Sequence, residues 1–308
     1  MPIVNRVADL HDEIKAWRQD IHAHPELLFD VHRTAGMVAD KLRSFGCDEV
    51  VTGIGRTGVV GVIRGRKGTS ARTIGLRADM DALPIEEATG AVGALAMRTG
   101  PIMAAADRIT IDIEGVGGHA ARPHLTIDTV MVGSAIIQAL QTIVSRNVDP
   151  LESAVVSITQ FHAGTADNII PQTAHLRGTA RSLTPRTRDL VEKRVREVVE
   201  GTAKLYGAKA TLAYRRDYPV TSNHEQQTAF AAEVAAGVVG RERVETAIPP
   251  MMGAEDFSFM LEARPGAFVF VGNGDSAGLH HPKYNFNDDV IPVGTSYWVK
   301  LVETALRG

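Results

Sequence analysis

Cysteine is almost missing from this sequence: Cys47 stands alone among 308 residues, so neither an internal disulfide nor a cysteine-rich metal cluster can form. That fits a reducing compartment, and a cytoplasmic location is expected. An excess of charge of one sign is missing too. A formal net charge of -3 gives no electrostatic case for a nucleic-acid partner. No run of about 18 apolar residues suggests a membrane span. Met1 to Asp20 mixes acidic and basic residues at helical spacing instead of carrying the apolar core of a signal peptide. A phosphate-binding G-x-x-x-x-G-K-[ST] loop, H-E-x-x-H and C-x-x-C are all absent. The partner class left standing is a small molecule, with no nucleic acid and no membrane.

What is present is an ordinary globular composition, 44% hydrophobic and 22% charged, in a chain longer than one hydrophobic core usually supports. Two domains are therefore expected. Apolar residues three and four apart predict helices over Asn5 to Ile21 and Arg33 to Phe45, interrupted at Pro25. Glycine-broken β-branched runs predict strands over Glu49 to Arg64 and Arg72 to Arg77, followed by a loop from Ala78 to Gly90. From Ala104 to Tyr214 the order becomes strand (Asp107 to Glu114), helix (Ile127 to Ser145), strand (Ser153 to Ala163), strand (Thr173 to Leu183), helix (Pro185 to Tyr206), strand (Ala210 to Arg215). That is the β-α-β-β-α-β order of a ferredoxin-like unit. Thr184, Pro185 and Gly207 mark the ends of its second helix. Beyond it come a helix over Glu225 to Val239, a strand or turn at Pro250 to Met252, a helix opening at Glu255, a strand over Ala267 to Val271 and a closing helix over Val293 to Leu306. The expected organisation is an α/β domain in two parts, residues 1–103 and 216–308, with a small domain at 104–215 inserted between them.

Several strings invite a chemical reading. Gly53-Ile54-Gly55-Arg56-Thr57-Gly58 satisfies the dinucleotide pattern, but a strand follows it where a helix is required, so a glycine-rich hairpin is expected. His22 and His24 make a metal pair only if carboxylates join them, and Pro25 favours a structural turn. Asp79 and Asp81 project to one side of an extended chain, which suits a ligand site at a strand end or, equally, a capped turn. In Gly117-Gly118-His119 the glycines let the backbone present an exposed imidazole, able to donate to a developing oxyanion or simply to pack in its loop. Asn168 and Arg181 are candidates to grip a carboxylate together, against a surface ion pair for the arginine. His280, in Gly278-Leu279-His280-His281-Pro282, is a candidate ligand that needs partners.

Taken in order, six strings resemble one family: Trp17 to Leu27, Gly75 to Ile85, the His119 loop, the Asn168 string, Met252-Gly253-Ala254-Glu255-Asp256-Phe257 and the His280 loop. The family is the zinc-dependent amidohydrolases of hippurate hydrolase, aminoacylase and the indoleacetyl-amino-acid hydrolases, and the resemblance runs nearly end to end. It implies a two-part α/β zinc-peptidase-like catalytic domain with an inserted ferredoxin-like domain that makes a homodimer and acts as a lid. It implies cleavage of N-acyl amino acids with divalent metal, zinc or manganese. By resemblance His280 is a metal ligand, Asp81 orients a ligand from behind, His119 reaches a partner subunit's site, and Asn168 and Arg181 hold the substrate carboxylate.

The sequence departs from the family in one place. After the Asp-Ala-Leu-Pro string the family carries H-A-C-G-H-D, then P-A-E-E-G, then a histidine before N-x-P, which hold the remaining metal ligands and the catalytic glutamate. Here Thr89-Gly90 runs straight into Ala91-Val92-Gly93-Ala94-Leu95. A catalytic zinc needs about three protein ligands, and water activation depends on it. The chain is therefore expected to be a truncated member with impaired activity, with a noncatalytic dimerisation or carboxylate-binding module as the alternative.

Overall fold

A computed structural model describes residues 5–65, 72–80, 92–275 and 286–307. In chain order the elements are α1 (Asn5–Asp9), α2 (His11–Ala23), α3 (His32–Ser44), β1 (Glu49–Ile54), β2 (Gly58–Val62), β3 (Leu95–Ala96), β4 (Gly100–Met103), β5 (Ala105–Glu114) and β6 (Gly118–His119). They continue through α4 (Thr129–Arg146), β7 (Ala154–Ala163), β8 (Ile169–Ile170), β9 (Thr173–Ser182), α5 (Pro185–Leu205), β10 (Lys209–Tyr218) and β11 (Thr221–Asn223). Last come α6 (Glu225–Val239), β12 (Val244–Glu245), α7 (Phe257–Ala263), β13 (Phe270–Val271) and α8 (Ile291–Leu306). This is a mixed α/β protein, and it divides into two compact units.

The first unit gathers residues 1–97, 229–248 and 269–308. Its two ends are tied by charge: Asp288, in the turn before α8, pairs with Arg18 (2.7 Å) and Lys15 (3.6 Å) and accepts from Gln19 (3.2 Å). The carboxylate lies where the helix N-terminus favours negative charge. The glycine-rich string folds as the antiparallel hairpin β1–β2, with Thr57 donating to the carbonyl of Phe29 (2.9 Å). A dinucleotide site is thereby excluded at that string, since β2 stands where the phosphate-binding helix would begin. Leu95 and Ala96 are buried at the centre of a sheet ordered β12-β3-β13, each strand two residues long. Leu27, Leu28, Phe29, Phe45 and Ile63 are each more than half exposed.

Some expectations need correction here. The run Arg72 to Arg77 forms no ladder, because β-propensity makes a strand only where a neighbour offers its backbone groups. The expected strand over Ala267 to Val271 shrinks to β13, and the first expected helix breaks at Leu10 into α1 and α2.

The second unit, residues 98–228 and 249–268, is built on a four-stranded antiparallel sheet ordered β10-β5-β9-β7. Along β5 and β9 side chains alternate, and Ile109, Ile111, Ile113 and Leu176 meet Ile136, Leu140, Val195 and Val199 from α4 and α5 in a buried core. Each such side chain contributes about 1.5–3 kcal/mol of transfer free energy. Asp128 caps α4 by accepting from the amides of Val130 (2.8 Å) and Met131 (3.3 Å), and Thr184 caps α5 through Thr187 (3.2 Å). One ionic group sits in this interior. Asp107, 3% exposed, takes a forked pair of hydrogen bonds from Arg188 and a third from the Tyr214 hydroxyl (2.8 Å). In the rest of the unit, β4 pairs with β11, α7 lies close by, and the string Pro250 to Met252 contributes a single bridge between Met251 and Met103.

Candidate functional site

The best-defined candidate constellation lies at one end of the four-stranded sheet, where β5 runs into the His119 loop. Val116 and Ile127 exchange backbone hydrogen bonds (3.1 and 3.0 Å), which closes the loop before α4 begins. Glycine is required on the way in by crowding. A Cβ on Gly115 would come within 2.3 Å of the Ile127 carbonyl, and one on Gly117 within 3.0 Å of the Ile170 carbonyl and the Gln172 amide. Then β6 pairs with β8, setting His119 opposite Ile169, and the amide of Ala120 donates to the carbonyl of Asn168 (3.0 Å). The structure thus brings His119 and Asn168 together across a two-residue ladder, although they are far apart in sequence.

The His119 ring is exposed, and its Nδ1 accepts the amide N–H of Ala121 (3.1 Å). An amide can only donate, so in the neutral ring the proton sits on Nε2. Nε2 is therefore the hydrogen-bond donor of this exposed ring. Sequence reasoning missed the residue that fixes this loop, Gln172. Its side chain spans both backbone polarities, accepting from the Gly117 amide (2.9 Å) and donating to the Gly115 carbonyl (2.5 Å), while its own carbonyl accepts from Gly115 (2.9 Å). A glutamine offers both functions in one plane, and only its place after Pro171 could have hinted at the role.

Arg181 lies elsewhere. It is at the far end of β9, opposite Ala106, and donates to the Ala180 carbonyl (2.9 Å) and to the Thr179 hydroxyl. Burial pulls its guanidinium below the usual range, and Asp107 and Asp217 oppose that shift. The eight steps along the strand from Thr173 to Arg181 span roughly 26 Å at strand rise. Within one chain, Asn168 and Arg181 cannot touch the same carboxylate. His119 and Asn168 form one group, and Arg181 stands apart from it.

The remaining candidates divide between two outcomes. Asp81 and His280 lie outside the described residues. Asp79 is paired with Arg77 (3.0 Å) in an irregular stretch, and Glu255, 5% exposed, accepts from the amide of Phe257 (3.2 Å) at the start of α7. His24 contacts the Asp20 carbonyl (2.9 Å) at the end of α2, a structural turn as its proline suggested. Among the described residues no group of three or more histidine, cysteine, aspartate or glutamate side chains is arranged to hold a metal. The described residues do not fit a two-metal centre.

A family model described as peptidase family M20/M25/M40 matches residues 86–304, well over half of the chain. The chain belongs to that family. By family it is an amidohydrolase. It is 34% identical to a hippurate hydrolase of Campylobacter jejuni, with 100% of both chains covered. It is 29% identical to an N-acetylcysteine deacetylase of Bacillus subtilis, covering 96% of this chain and 98% of that protein. Among solved structures, the YXEP protein of Bacillus subtilis, a dinuclear metal-binding peptidase of the M20 family, superposes with a TM-score of 0.77 at 25% identity, covering 97% of this chain and 99% of that one. The hippurate hydrolase alignment is 386 positions long against 308 residues here, so at least 386 less 308, or 78, positions have no residue in this chain. Among the described residues no helix is long and apolar enough to cross a membrane.

Proposed function

We propose that this protein is a shortened N-acyl amino acid amidohydrolase, whose ancestral reaction cleaves a hippurate-type amide to a carboxylate and an amino acid. The observation that carries the reading is full-length similarity at 34% identity to a hippurate hydrolase. In this reading residues 1–103 and 216–308 are the catalytic part, and 104–215 is a lid through which two copies pair. The divalent metal of the family is zinc or manganese, with His280 as a ligand and Asp81 behind it. His119, through its Nε2–H, serves the developing oxyanion, while Asn168 and Arg181 hold the substrate carboxylate.

Pairing of two copies accommodates the separation of Asn168 from Arg181, of which the stretch of β9 from Thr173 to Arg181 alone contributes roughly 26 Å. In a symmetric dimer, His119 and Asn168 of one copy and Arg181 of the other can converge on one ligand. We place the missing 78 or more positions after Gly90, where the family carries most metal ligands and its catalytic glutamate. Turnover by the chain alone is accordingly expected to be little or none. The test is hydrolysis of hippurate and N-acetyl amino acids by the purified chain, after loading with zinc or manganese and removing the excess. The expected outcome is weak binding with negligible release of amino acid. Robust metal-dependent turnover would overturn the impairment. Absence of both binding and turnover would favour a dimerisation module without chemistry.

A further inference from the structure

The open face of the four-stranded sheet, opposite its two helices, carries a second cluster remote in sequence from the family's metal motifs. In the register of the sheet, His162 on β7 lies directly across from His175 on β9, which lies across from Asp112 on β5. Directly opposed residues of an antiparallel pair share a face, with Cβ atoms about 4.5–5.5 Å apart. All three line one depression of about 530 Å³, together with Glu114, Lys209 and Thr211. His175 Nδ1 stands 2.6 Å from Asp112 Oδ1.

We infer that His162 and His175 form a binding site for a late first-row divalent cation such as zinc, nickel or copper. Two histidines directly opposed on a ladder suit these borderline ions, which prefer nitrogen to the carboxylate and water oxygens favoured by magnesium or calcium. The hydrogen bond to Asp112 supplies what a ligating histidine needs from behind it. A carboxylate accepting from Nδ1–H fixes the ring and leaves Nε2 free to bind, the usual arrangement around protein-bound zinc. Two protein ligands leave the remaining positions to water or to a small ligand, and the depression is open enough to admit them. A site of this kind is weaker than a structural three- or four-ligand site. Lys209, opposite Glu114 in the next row, keeps a positive charge close by and further moderates affinity.

Isothermal titration of the full chain with zinc, and separately with nickel, decides the matter, using His162→Ala/His175→Ala, Asp112→Asn and His280→Ala as comparisons. All substituted positions on the sheet are strand residues with accessible side chains, and circular dichroism of each variant checks that the fold is kept. The double variant is expected to lose one binding event, Asp112→Asn to weaken it by about 10- to 100-fold, and His280→Ala to leave it intact. Unchanged binding in the double variant overturns the inference, as does no uptake by the wild-type chain. Loss of that event in His280→Ala alone assigns the metal to the family's site and also overturns it.

Discussion

Replacing Asp107 by alanine tests the account of the buried ionic group most directly. Arg188 is almost wholly enclosed, with its side chain 10% exposed against 3% for Asp107, and the contact is a fork with Nε at 3.0 Å and Nη2 at 2.5 Å from Oδ1. Removing one member of such a pair leaves a guanidinium out of water and uncompensated, a loss of about 3–5 kcal/mol. Tyr214 loses its acceptor in the same step, so the upper half of the range is expected. At about 1.4 kcal/mol per tenfold, that upper half, about 4–5 kcal/mol, should raise the opening equilibrium of the sheet by roughly seven hundredfold to a few thousandfold. The assay is hydrogen exchange, read on peptides spanning β5 and β9. Tryptophan fluorescence gives an internal contrast, because Trp17 and Trp298 both belong to the other unit. A paired replacement, Asp107→Leu with Arg188→Met, should lose far less, since an apolar pair carries no desolvation penalty. Less than about 1.5 kcal/mol lost in Asp107→Ala, the lower limit for even one charged hydrogen bond, would refute the reasoning.

Gln172→Ala should remove two hydrogen bonds, destabilise the His119 loop by about 1–3 kcal/mol, and speed exchange at the Gly117 amide. An unchanged Gly117 rate, measured by nuclear magnetic resonance, would mean the side chain does not fix the loop. Burial, followed for Tyr214 by the Asp107 carboxylate, pushes the Tyr214 and Tyr297 phenols far above their usual range. Because the folded values are raised, their contribution is complete below the unfolded value of about 10 and falls away as pH climbs beyond it. On alkaline titration at least two of the five tyrosines should be missing from the tyrosinate absorbance until the protein unfolds. Reversible ionisation of all five in the folded state would contradict their burial.

Local pattern carried much of the fold. The helix expected over Glu225 to Val239 matches α6, and α5 lies where Thr184, Pro185 and Gly207 put it, because capping chemistry is written within a few residues. The hairpin at Gly53 to Gly58 was legible for the same reason. Arg72 to Arg77 failed, since its composition suits a strand while ladder formation depends on partners elsewhere. In the site, the exposure of His119 followed from its glycines, but its meeting with Asn168 did not. That contact rests on a ladder of two residues per strand, too short for any periodicity to announce. Gln172 was illegible because both partners of its side chain lie more than fifty residues away. The distance from Asn168 to Arg181 became visible only once β9 was seen to run its full length between them.

The mutual hydrogen bonds of Val116 and Ile127 have a consequence for how this region changes over time. They shut the His119 loop at its base, so its backbone freedom is surrendered during folding and little ordering is left for ligand binding. They also insulate the loop tip from the scaffold. Between Ala120 and Thr126 the chain can be rewritten, even lengthened at modest entropic expense, without shifting the register of β5 or the start of α4. Recognition at this end of the sheet can therefore diverge rapidly on a frame that stays fixed.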